Sequence, residues 1–384
     1  MHFFRCDVPA DDCGGVVTRV LPGGRPGEAA STQTLVACGN ELRPLSGADG
    51  LSGLELGPPL QLYADPAARE GEPAAARQPY VPVKLLCPVW DPHTSSIYMR
   101  DGYATLRLAS DDTVTVVAGA VEEKGDADGP GRTARFGNPG YLVSDGAGSL
   151  YVADGRGIRK LQLPPGVGPV AGQVGMQLQA AAGAGPMAAL AAAGGPEVLV
   201  STLVPRAPAD IVGLAFGGSG NGGRSSSGSL LFMTDAALYR LPLDDPTAAA
   251  LLLAGEEGAY GAADGRGADA RFRSVLGIAL DGEGSVYMAD WVDDDTTALG
   301  RVAADGTVTT IGPSLGGSVG LPAILPNGCL ALNDFIEGAL NVLGLGLKLP
   351  RGHAAATPWP HIVPPTWARC WAGSPTAPPT SPSW

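Results

Sequence analysis

Residues 128 to 154 read DGPGRTARFGNPGYLVSDGAGSLYVAD, and 136 residues later the chain repeats much of this as DGRGADARFRSVLGIALDGEGSVYMAD, residues 264 to 290. A catalytic group is needed once, whereas a building unit is needed many times, so the repetition is read first as architecture. Each copy holds a loop ending in A-R-F, an apolar run, a D-G-x-G turn and a second apolar run closed by Asp. The alternation of apolar and polar residues within the runs is that of strands, and the short Asp/Gly turn lets two twisted strands reverse without splaying.

Working outward, the strand, turn, strand pattern occurs six times: LVACGNELRPL (35 to 45), IYMRDGYATLRL (97 to 108), LYVADGRGIRKL (150 to 161), LFMTDAALYRL (231 to 241), VYMADWVDDDTTALGRV (286 to 302) and LALNDFIEGALNVL (330 to 343). In five of them an Asp closes the first strand, at 101, 154, 235, 290 and 334. A further apolar run precedes each later hairpin, and most are followed by a fourth run: TVTVVAG (113 to 119), EVLVSTL (197 to 203), AAALLLAG (248 to 255) and TVTTIG (307 to 312). Four strands per unit, repeated around a ring, predict an all-β fold, a β-propeller of about six four-stranded blades. Two tracts interrupt the spacing, the Ala/Gly-rich 173–196 between the third and fourth strands of blade three and the Gly/Ser loop 217–228 inside blade four. Without them the opening copies stand two blades of about 50 residues apart, near the usual repeat length. Blade six shows three strands, and HFFRCDV at the N-terminus is the candidate for its fourth, closing the ring and removing an exposed sheet edge, with a seven-bladed or an imperfectly closed ring as the alternative. The propeller is expected to span 1–347, and 348–384, rich in Pro and Trp, is expected to be a disordered tail.

Bulk properties agree with strands and turns. Of 384 residues, 57 are Gly and 35 Pro, which disfavours long helices, while the apolar content of 45% leaves enough to fill a core. Net charge is −13 and only four residues are lysine, so a nucleic-acid backbone would be repelled, not steered in. The six cysteines form no C-x-x-C pair, and the N-terminus lacks the apolar core of a signal peptide. Together these favour a cytoplasmic location, with the nucleus as alternative. No run reaches the length of a membrane helix.

The succession V-A-G, D-G-x-G-x-x-A-R-F, D-G-x-G, S-L-Y-V-A-D and I-R-K-L resembles the NHL repeat, the blade of NHL-type six-bladed propellers. The match is close in blades three and five and thin in blade one. The arrangement also resembles a group of green-algal proteins in which such repeats precede a C-terminal BTB/POZ domain, a pattern not found after His353 here. The resemblance implies a scaffold that binds a protein or peptide on one face, as the substrate-recognition part of a ubiquitin-ligase adaptor. Enzymes of lactonase or lyase type and RNA-binding NHL propellers are the alternatives.

Candidate contact residues follow from the repeats. Arg135 and Arg271, in the A-R-F loops, are expected to bridge neighbouring backbone carbonyls or an Asp as structural joints, with a grip on a partner's carboxylate as the functional alternative. Asp154, Arg156 and Arg159 belong to the tight hairpin of blade three, and Asp290 and Trp291 to its longer counterpart WVDDDTTALG, where an aromatic beside acids suits a binding hot spot. DADGPG (126 to 131) lacks the twelfth-position Glu of the common calcium loop. The four histidines and the absence of a G-x-S-x-G elbow argue against hydrolytic chemistry, and no metal or cofactor is expected. A monomer is expected.

Overall fold

The structure, a computed structural model, describes residues 5–23, 28–50, 53–65, 77–164, 197–218, 228–245, 247–293, 296–312 and 314–349. The Ala/Gly tract, the centre of the Gly/Ser loop and the Pro/Trp tail beyond 349 lie outside these residues.

Six antiparallel sheets, each with four principal strands, form a six-bladed β-propeller. Blade one holds Cys13–Leu21, Ser31–Cys38, Glu41–Ser46 and Glu55–Leu56. Blade two follows with Leu85–Asp91, Ser96–Asp101, Ala104–Leu108 and Thr113–Gly119. Blade three comprises Pro139–Ser144, Ser149–Asp154, Gly157–Gln162 and Leu199–Val204, and blade four Gly213–Gly217, Ser229–Met233, Ala237–Pro242 and Leu251–Gly255. Val275–Leu280, Val286–Asp293, Thr296–Val302 and Thr307–Thr310 make blade five. Val319–Ile324, Cys329–Asp334 and Ala339–Gly344 supply three strands of blade six, and Arg5–Pro9, paired antiparallel with Ala339–Gly344, is its outer strand. The N-terminus therefore closes the ring, as the sequence suggested. The sole helix among the described residues is one 3₁₀ turn, Gly267–Asp269.

The core lies between blades, as expected when a lone sheet cannot bury both of its faces. Six apolar clusters, one per seam, each draw side chains from two neighbouring sheets. At the seam between blades one and two, Leu35 and Leu42 meet Leu85 and Ile97, all inaccessible to solvent. Where blade six meets blade one, polar atoms join in. The Cys13 thiol donates to Asn333 Oδ1 at 2.9 Å, and Asn333 Nδ2 donates to the Cys13 carbonyl at 2.9 Å.

One feature was not anticipated. The D-G-x-G loop does more than connect blades: its first residues pair with the outer strand of the blade they lead into, Gly129–Pro130 with Leu199–Val204 and Gly265–Arg266 with Thr307–Thr310. Asp128 accepts the Thr202 amide at 2.9 Å, and Asp264 accepts the Thr310 amide at 2.8 Å. A one-letter repeat hid a fifth strand at the rim.

Candidate functional site

The geometry of a propeller gives three places to look: two faces and the channel. One face carries the turns between second and third strands together with the connections from each outer strand to the next inner strand; we call it the upper face. The lower face carries the other turns.

Most of the sequence-selected residues serve the upper face as internal fastenings. Asp154 accepts the Gly137 amide at 2.9 Å and the Asn138 amide at 2.5 Å, and Asp290 accepts the equivalent pair, Arg273 at 3.0 Å and Ser274 at 2.8 Å. Asp101 does the same for Val83 and Lys84. The repeated Asp thus ends a strand and holds the segment leading into the neighbouring inner strand. Arg159 is buried, bonded to Asp128 at 2.6 Å and Asp154 at 3.3 Å, with its guanidinium 5.6 Å from the Phe136 ring centre. By register Gly300 stands in its place in blade five, since Arg159 pairs with Val152 and Gly300 with Met288. Burial pushes the Asp290 carboxyl up, against the opposing pull of the Ser274 and Arg273 amides and the Arg273 charge.

Arg135 and Arg271 behave as twins. Each donates to a glutamate, Glu123 at 2.6 Å and Glu256 at 2.7 Å, and to carbonyls of its own loop, Arg132 and Ala134 in one copy, Ala268 and Ala270 in the other. The acid in the joint is Glu, where the sequence reading named Asp. Arg156 donates from Nε to the Ala207 carbonyl at 3.1 Å, pinning the connection into blade four. Of the chosen residues, Asp154, Arg159 and Asp290 have their charged groups enclosed by the fold and offer a partner little surface.

Trp291 differs. It shares a strand face with Tyr287 and Ala289, which pack toward blade six, and remains partly exposed, with its Nε1 enclosed and lacking a hydrogen-bond partner. The longer hairpin it opens is held by the connection to blade six: Leu315–Gly316 pairs with Thr296 and Thr297, and Thr297 Oγ1 donates to the Gly317 carbonyl at 2.6 Å. Gly317 in turn abuts Ile336, and Gly320 lies beneath the Phe335 ring, where a Cβ would come within 2.9 Å of it. Asp334 builds this next turn by accepting the Ile336 and Glu337 amides, leaving Phe335 50% and Ile336 62% exposed. Sequence reasoning passed over Phe335 and Ile336; the N-D-F-I-E-G spacing of a hairpin turn carrying two large apolar residues was the available signal.

The exposed large apolar residues are distributed unevenly. Val81, Val83, Tyr260, Phe335 and Ile336 sit on upper-face connections and turns, while Val116, Leu199, Leu251 and Leu252 sit on outer strands. Among the described residues, none belongs to a lower-face turn.

The channel is lined by the inner strands of all six blades. At its lower end it widens into a cavity of about 730 Å³ whose walls include Val16, Val143, Leu214, Phe216, Ile278 and Ile324. Charged wall residues among those described are Asp145, Asp281 and Glu283. Toward the waist five of the six inner strands carry a bulge, with Gly15, Cys87, Gly277 and Leu321 in left-handed backbone there. Burial raises the Cys87 thiol to about 11, with Arg100 pulling the other way. Among the described residues, no three His, Cys, Asp or Glu side chains gather in a way that could hold a metal ion, and no helix is long and apolar enough to cross a membrane.

A scan against family models returns no match, and a search of curated proteins returns none either. Solved structures align with the chain at low identity. An auxiliary nutrient binding protein from Bacteroides thetaiotaomicron aligns with a TM-score of 0.49 and 11% identity over 86% of this chain and 69% of its own. A candidate gluconolactonase aligns at 0.43 and 14%, over 88% of this chain and 96% of its own. The NHL reading accordingly rests on the motifs quoted above.

Proposed function

We propose that this propeller is a non-catalytic scaffold that docks an apolar segment of a partner protein on its upper face, centred on blades five and six. The single observation behind this reading is the one-sided distribution of exposed apolar side chains, with Phe335 and Ile336 on the Asp334 turn and the partly exposed Trp291 on the neighbouring hairpin, which Leu315–Gly316 joins. Apolar anchors ringed by polar turns have the composition of an interaction hot spot. The hairpin and the turn are each fastened to the ring, so little ordering is required on binding. Resemblance to the BTB-linked green-algal group supports placing such a face in a ubiquitin-ligase adaptor, as the part that selects the substrate.

The test compares proteins captured in cells by the wild-type chain, by Phe335→Ser/Ile336→Ser, and by Leu251→Ser/Leu252→Ser on the rim. A partner lost with the first variant and retained with the second, at unchanged melting temperature, supports the reading. Partners indifferent to the upper-face change overturn it. EDTA-sensitive lactone hydrolysis by the purified protein overturns its non-catalytic part.

A further inference from the structure

The lower-face cavity is a second candidate site, on the opposite side of the ring from the docking face and independent of it. After Gly344 the chain does not leave the propeller. Leu347 donates its amide to Gly328, Gly282 donates to the Lys348 carbonyl at 2.7 Å, and the Lys348 ammonium pairs with Glu283. Residues 345–349 are thereby carried from blade six to the blade-five turn at the cavity mouth, and Leu349 itself forms part of the wall. Gly282 permits this crossing, since a Cβ there would lie 2.3 Å from the Leu349 carbonyl.

The chemistry of the cavity and of the chain that follows is complementary. The wall is mainly aliphatic and aromatic, and the charged residues described on it are the acids Asp145, Asp281 and Glu283, the last already paired with Lys348. Residues 350–384 contain no Asp or Glu, in a protein of net charge −13, and include Arg351, Arg369 and the tryptophans 359, 367, 371 and 384. The volume suits a few large side chains, as in ordinary ligand pockets. From Leu349, fully extended chain advances about 3.3 Å per residue, so every one of these tryptophans can reach a cavity that the chain already borders. A tether of this kind supplies an effective concentration in the millimolar range, so even weak intrinsic affinity fills the site.

We propose that the lower-face cavity binds an aromatic, basic, acid-free peptide, and that its occupant is segment 351–371 of the same chain. The segment masks apolar surface that would otherwise be open at the channel end, and any other ligand must displace it.

The experiment uses the full chain with the photoreactive residue benzoylphenylalanine in place of Trp367. Irradiation, digestion and mass spectrometry then locate the crosslinks. Expected are crosslinks to 278–284 or 322–326 within protein of monomer mass. In Gly218→Trp the yield falls about ten-fold, the change that follows when burial of one aromatic side chain is opposed. Gly218 lines the mouth and its added Cβ meets nothing within 4 Å, so the wall is filled without strain. Arg351→Glu/Arg369→Glu, which reverses the charge of the segment and leaves the cavity wall unchanged, is expected to lower the yield as well. Crosslinks confined to other surfaces, or a yield unmoved by both variants, overturn the proposal. Crosslinks to the mouth found only in a species of dimer mass overturn the assignment to the same chain and identify a second copy as the occupant.

Discussion

The twofold text DGxGxxARF is explained residue by residue. Phe136 and Phe272 are almost wholly buried, 0% and 2% exposed, and each lies against the glycine that ends the preceding outer strand. Gly119 and Gly255 have φ of +76° and +82°, and a Cβ on them would stand 2.4 Å from the Tyr103 carbonyl and 2.2 Å from the Ala236 carbonyl, as well as 2.8 Å from the Phe ring. Gly119→Ala and Gly255→Ala should each therefore cost about 2 kcal/mol or more, by similar amounts, read as shifts in urea midpoint at constant m-value. Asp128 yields a pH prediction. Burial raises its carboxyl, but the Thr202 amide and hydroxyl and the Arg159 guanidinium outweigh that and hold it below the usual range. A carboxyl lowered by folding stabilises above its unfolded value of about 3.9 and loses that contribution as pH falls through the folded value. The stability gap between wild type and Asp128→Asn should be full at pH 7 and close progressively below about pH 4. Urea titrations at pH 7 and pH 3 measure it, and a gap that widens in acid contradicts the assignment.

At the scale of elements, the strands and their order were legible because two signals agree: apolar alternation marks the strand, and Asp or Gly marks its end. The Asp at the end of the second strand was visible at five positions, and at 101, 154 and 290 it does equivalent work, capping two amides of the segment that leads into the inner strand, whereas Asp334 caps two amides of its own turn. Asp235 is the exception: it accepts from the Tyr260 hydroxyl at 3.1 Å, because blade four is led in by Ala207 and Ile211 bonded to Arg156 and Gly155. The rim strands Gly129–Pro130 and Gly265–Arg266 were not legible, since two residues show no period and their partners are distant in sequence. The docking patch was half legible. Trp291 stands out as a residue type, whereas Phe335 and Ile336 read as ordinary strand-end apolar residues until their turn is placed. Closure adds a prediction at this scale. Asn333, inaccessible to solvent, makes two bonds to Cys13, so Asn333→Ala should cost about 2 to 4 kcal/mol through two lost bonds and an unpaired buried Cys13 carbonyl. Thermal melts check it, with Asn327→Ala, on the same blade and less enclosed, expected to cost less.

For the whole molecule, closure is the property that leaves blade six without an open sheet edge. Without Arg5–Pro9 the strand Ala339–Gly344 would present a row of unpaired backbone groups, the template for edge-to-edge association. A chain lacking residues 1–9 should accordingly form higher oligomers or aggregates at concentrations where the intact chain does not, as read by light scattering. A truncated chain that remains monomeric and melts at the same temperature would show that the edge is protected in another way. The two faces then divide the labour proposed above, one offered to a partner and one covered by the chain itself.

The seam between the first and last blades has a consequence for the birth of the protein. Cys13 and Asn333 are 320 residues apart, and the closing strand emerges from the ribosome before any of the sheet it completes. Sheets one to five can stack as they are made, but Arg5–Pro9 must wait until Ala339–Gly344 has been synthesised for its neighbour. Long-range pairing of this kind is slow to form. The strand made first is thus the last to be seated, and during that interval the nascent ring depends on chaperones, or on speed, to keep its open edge from other chains.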